Sequence, residues 1–90
     1  MGIGSMIEST AGVCSGRAHI AGTRVAVHRI AGYYRLGYSP EEILTFLGSL
    51  SLYQIYAALA HALANGPEMD AALREEQDLA AQFSARNPVA

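Results

Sequence analysis

The chain has no lysine, a single cysteine, and charge at only 16% of its positions. Without lysine the basic side chains are six arginines, and the formal net charge of −2 leaves no long-range attraction to nucleic acid on average. Cys14 has no second cysteine to bridge to. Nothing reads as a signal peptide or as the roughly eighteen-residue apolar run of a membrane helix, so a reducing cytoplasm is the expected location. His19, His28 and His61 lack the i, i+4 spacing that sets two imidazoles on one helix face, and no Lys-Ser or Lys-Thr follows Gly12, Gly16 or Gly22 as in a phosphate loop. Cys14 lies in a small-residue stretch with no held base beside it. No catalytic residue, metal or cofactor is expected, and the chain does not read as an enzyme.

What the chain has in plenty is small apolar surface. Hydrophobic residues make up 51% of its 90 positions, alanine prominent among them. A chain of this length buries only about 60–65% of the surface its unfolded form exposes, so one domain is expected, with a further interface to steady it. A homodimer is the simplest form of that interface. Charge is unevenly spread: Arg17, Arg24, Arg29 and Arg35 stand against Glu8 in the front half, whereas Glu68, Asp70, Glu75, Glu76 and Asp78 stand against Arg74 and Arg86 in the tail. The front is basic and the tail acidic.

Helix signals are clearest from Tyr38 to Gly66. Ser39 caps a first helix, Pro40 takes its first position, Glu42 completes a capping box, and Ile43, Leu44 and Leu47 form its apolar face, with Gly48 as the stop. Ser51 and Gln54 form a second capping box, opening a helix closed by Asn65-Gly66. Its stripe of Leu52, Ile55, Tyr56, Leu59 and Leu63 is expected inward, and the small face of Tyr53, Gln54, Ala57, Ala58, His61 and Ala64 is weakly polar enough to be covered too. Two short helices around a glycine-containing turn have the form of a helix-turn-helix. Upstream, Val27, Ile30, Ala31 and Tyr34 predict a helix stopping at Gly37, and the alternation through Arg17–Val27 around Ala21-Gly22 predicts two short strands. Pro67 restarts a last helix. The expected organisation is a flexible segment over 1–15, a ribbon and helix-turn-helix core over 16–66, an acidic helix over 67–86, and a frayed tail over 87–90. The fold class is mostly α: a small helical domain with a helix-turn-helix and a short N-terminal β-ribbon.

Two surfaces carry functional expectations. The start of the second helix of the pair presents Ser51, Tyr53 and Gln54, and glutamine can pair bidentately with adenine in a major groove. No arginine stands on that helix, so phosphate contacts fall to Arg17, Arg24, Arg29 or Arg35. The plainer roles are caps and ion pairs. The acidic tail offers Leu73, Glu76, Leu79 and Phe83 to a groove on a basic partner, or else packs at home as a fourth core helix.

Together, Gly16-Arg17, Ile20, Gly22-Thr23-Arg24-Val25, Val27, Ile30, the run GYSPEEIL from Gly37 to Leu44, and LSLYQIYAALAHAL from Leu50 to Leu63 resemble the bacterial domain-of-unknown-function family four-three-three. The similarity extends over about Glu8 to Leu79, with Ala18 where the family commonly has proline and Leu47-Gly48 where it often has Tyr-Pro. The resemblance implies a homeodomain-like helix-turn-helix and a VapB-like antitoxin paired with a PIN-like ribonuclease toxin. The front half would dimerise and bind operator DNA, and the C-terminal segment would cover a toxin active site whose magnesium-binding carboxylates do the chemistry. A stand-alone DNA-binding regulator and a homodimeric interaction module without a nucleic-acid role are the alternatives.

Overall fold

The computed structural model describes residues 3–86, with side-chain surroundings over 5–82. A 3₁₀ turn (Ile3–Met6) leads into β1 (Ile7–Ser9), a second 3₁₀ turn (Cys14–Gly16) into β2 (Ala18–Ile20), and four helices follow: α1 (Val27–Arg35), α2 (Pro40–Phe46), α3 (Leu52–Ala64) and α4 (Gly66–Arg86). The molecule is mostly helical with a short antiparallel ribbon at its start. No described helix is long and apolar enough to cross a membrane.

The ribbon is paired differently from the expected one. β2 takes β1 as its partner, with Ile7 opposite Ile20, Glu8 opposite His19 and Ser9 opposite Ala18. The stretch 1–15, read as lacking regular structure, therefore supplies a strand. The tight turn at Ala21-Gly22 does form: Gly22 takes φ +77°, Thr23 N–H donates to the Ile20 carbonyl at 3.0 Å, and the Thr23 hydroxyl donates to the same oxygen at 2.8 Å. Beyond it the chain touches the ribbon at the single bridge His19–Ala26 before entering α1, so the expected strand through Thr23, Val25 and Val27 is replaced by a turn and a helix start.

α1 ends on a Schellman motif at the expected Gly37. Tyr38 N–H donates to the Tyr33 carbonyl and Gly37 N–H to that of Tyr34, with Gly37 at φ +102°, a conformation that a Cβ would strain. α2 opens on the full Ser39–Glu42 capping box, with bonds of 3.1 and 3.0 Å. It ends at Phe46, capped by Leu47, with Gly48 next in line as expected but without the positive φ that Gly37 takes. Residues 47–51 connect it to α3, against which it packs as a helix-turn-helix. Asn65 closes α3 through its side-chain amide, which donates to the His61 carbonyl at 2.8 Å, and Gly66 already belongs to α4.

Ile20, Val27, Ile30, Ile43 and Ile55 are fully buried at the centre of the core, with Met69 of α4 closing one side. Each buried isoleucine stabilises the fold by about 1.5–3 kcal/mol relative to exposure. α3 is rotated from the expected orientation: Ala57, Ala58 and Ala62 are buried beside Ile55 and Leu59, while Tyr53, Tyr56 and Leu63 are exposed. Alanine lets neighbouring backbones approach closely, and that close fit outweighs the larger side chains of the alternative face.

Candidate partner-binding surface

The seam between α1 and α4 is where the two charged halves of the sequence meet. His28 Nε2 lies 2.6 Å from Glu76, and Arg35 lies 2.6 Å from Asp70. The order of these pairs makes the helices antiparallel, since residue number rises along α1 as it falls along α4. Arg17, just before β2, pairs with Glu75. Gly32 allows the approach: a Cβ there would stand 3.2 Å from Leu73 Cδ2. Exposed ion pairs contribute little each, about 0–1 kcal/mol, so Met69 and Ala72, at 2% and 1% exposure, hold α4 while the pairs set its register.

Two of the three histidines, His19 and His28, are held by partners, whereas His61 Nε2 is buried with none among the described residues. The His19 ring lies 3.0 Å from the Ile20 carbonyl through Nδ1 and 3.2 Å from the Thr10 hydroxyl through Nε2. A carbonyl only accepts, so Nδ1 carries the proton. His28 Nε2 likewise donates to the Glu76 carboxylate. Among the described residues, no three or more His, Cys, Asp or Glu are grouped to hold a metal ion.

The expected DNA-contact residues separate into two places. Arg17, Arg24 and Arg29 converge on one cleft of about 290 Å³, also lined by Cys14, His28, Glu75, Glu76 and Leu79. Arg17 is engaged there by Glu75, whereas the side chains of Arg24 and Arg29 are exposed and make no ion pair among the described residues. Ser51, Tyr53 and Gln54 do not line that cleft. Gln54 Oε1 accepts Ser51 N–H at 2.7 Å, so its acceptor is committed to the cap, while Tyr53 is exposed. Within the Gly22-Thr23-Arg24 segment, Gly22 and Thr23 build the turn after β2, and the Arg24 carbonyl accepts from Cys14 Sγ at 3.1 Å.

The expected toxin-contact residues are divided along α4. Leu73 and Glu76 are engaged with α1, through Gly32 and His28. Leu79 is 58% exposed, and every residue from Gln77 to Gln82 is exposed. The side chain of Phe83 and the tail over 87–90 lie outside the described residues. Sequence reasoning did not see Gly32, His28, Arg35 and Asp70 as residues that join α1 to α4, nor Glu75 as the partner of Arg17. The available signal was slight: His28 and Arg35 stand two turns apart on one face of α1, but the spacing of Asp70 and Glu76 does not set both on one face of α4.

The sequence pattern of DUF433, described as a protein of unknown function, matches residues 7–62, more than half of the 90. The chain belongs to that family. Among solved structures, the 2.00 Å crystal structure of a DUF433 member protein from Anabaena variabilis ATCC 29413 is similar to it, with a TM-score of 0.67 and 31% identity over 72% of this chain. The match spans 64% of that protein's chain. No curated protein matches. The DUF433 pattern thus takes in the ribbon, α1, α2 and most of α3. It stops short of the expected limit at Leu79, leaving α4 beyond the matched region.

Proposed function

We propose that this DUF433 protein is a non-catalytic, antitoxin-like binding protein of the cytoplasm, which neutralises a PIN-like ribonuclease encoded beside it by covering the enzyme with the outer half of α4. The observation that supports this reading most is the division of α4. The helix is anchored through Glu76, and from Gln77 it carries exposed residues that include Leu79. A partner-specific element beyond the family's common region fits an arm that differs from one toxin pair to another. The uncharged outward face of α3, with Tyr53, Tyr56 and Leu63 exposed, favours self-association as the complementary role of the body.

Co-expression of the tagged chain with the adjacent open reading frame tests the proposal. The neighbour is expected to co-purify, and to stop growth only when this chain is absent. A harmless neighbour that does not co-purify contradicts it.

A second reading, operator binding, draws support from the exposed guanidinium groups of Arg24 and Arg29 at one cleft, which make no ion pair among the described residues. If Arg24 meets phosphate, Arg24→Ala weakens binding to all DNA sequences and flattens the salt slope by about one unit. An unchanged slope removes Arg24 from the DNA surface.

A further inference from the structure

On the far side of Arg29 from the arginine cleft, α1 and α4 enclose an open groove of about 660 Å³. Tyr33 and Leu36 line it from α1, and Leu73 and Ala80 from α4. Leu36 is 77% exposed there, an apolar side chain left in water by the chain's own packing. The groove's charges are unevenly satisfied. Asp70 and Glu76 are already engaged, with Arg35 and His28, whereas Arg29 and Arg74, one from each helix, line the groove without an ion pair among the described residues. Two uncompensated guanidinium groups around an apolar floor are complementary to a helix with an apolar stripe and flanking carboxylates.

We propose that this groove docks an acidic amphipathic helix of a protein partner, its leucine-like anchors against Leu36 and Leu73 and its carboxylates on Arg29 and Arg74. A phosphate backbone suits the groove less well, because its walls are largely apolar and a phosphodiester has no apolar side chains to set against Leu36 and Leu73. The groove borders the part of α4 used in the antitoxin reading, at Gln77 and Ala80, but the proposal does not rest on that reading and requires only a partner of the stated chemistry.

The test uses the full-length protein and two fluorescent helical peptides, one with leucines at i, i+3, i+4 and i+7 among glutamates, the other with lysines replacing the glutamates. Fluorescence anisotropy is expected to show saturable binding of the glutamate peptide, weaker at high salt, with no comparable binding of the lysine peptide. The variant R29E/R74E should lose about tenfold in affinity for the glutamate peptide and gain affinity for the lysine peptide. R29Q/R74Q should weaken the first without gaining the second, and circular dichroism checks that both variants fold. Equal binding of the two peptides, absence of binding, or no exchange of preference in the charge-reversed variant overturns the proposal. So does preferential, Arg29- and Arg74-dependent binding of a labelled DNA duplex, or a wild-type dimer in sedimentation that R29E/R74E dissociates.

Discussion

Met69 and Leu79 lie on the same helix, yet Met69 is 2% exposed and Leu79 58%. Removing the Met69 side chain leaves a cavity against the core, and Met69→Ala is expected to lower stability by about 2–4 kcal/mol in urea unfolding. Leu79→Ala should change stability by no more than about 0.5 kcal/mol while weakening partner binding. Ser39→Ala removes a cap that bonds the Glu42 N–H, and about 1 kcal/mol is the expected loss. Residues of this last kind were legible in the sequence, because a capping box is completed within four positions and needs no distant neighbour. The Ser51–Gln54 pair was legible for the same reason, and Gln54 Oε1 serves the helix start. Tyr56 and Leu63 were misread because hydrophobicity alone does not say which of two apolar faces a neighbouring backbone will approach.

At the scale of elements, that misreading becomes a rotation of α3. It brings Tyr56 to the surface, where its hydroxyl donates to Glu41 of α2 at 3.3 Å. The Glu41 carboxylate, with lesser contributions from burial and from Tyr34, raises the Tyr56 phenol above its ordinary 10.0, since the phenolate would form beside an existing negative charge. Folded protein therefore holds this proton more tightly than unfolded chain. The contribution to stability is whole below about pH 10 and is lost as pH climbs through the raised value. In an ultraviolet titration Tyr56 should ionise later than an unperturbed tyrosine, and Glu41→Gln should bring it earlier. If the titration is unchanged in that variant, the Tyr56–Glu41 contact does not form in solution. The ribbon was the least legible element, because β1 pairs across an intervening loop and nothing local in Ile7–Ser9 announces its partner. The α1 stop was the most legible, since Gly37 serves a positive-φ position within its own turn.

The whole molecule is longer than its length in residues requires. Its radius of gyration is 13.9 Å, against about 12 Å for a compact chain of this size, and its longest axis is 49 Å. α4 accounts for much of that, since 21 residues of helix span about 32 Å. Uneven charge along the sequence was correctly visible, but not that the chain would spend much of it on itself, pairing Arg17 with Glu75, Arg35 with Asp70 and His28 with Glu76. Such pairs join residues 35 to 58 positions apart, and no periodicity reports them. The tail is consequently part of the core through Met69 and Ala72 and exposed from Gln77 to Gln82. A chain ended after Asn65 should lose cooperative unfolding or melt well below the full protein, because Met69 and Ala72 go with the rest of α4. A chain ended after Glu76 should keep the fold.

That second truncation supplies the most direct test. Calorimetric titration of the product of the adjacent open reading frame with the full chain, and with the chain ended after Glu76, separates anchoring from engagement. The account predicts that the full chain binds and that the shortened chain, folded by circular dichroism, does not. Undiminished binding by the shortened chain would contradict it and move the interface onto the body of the domain.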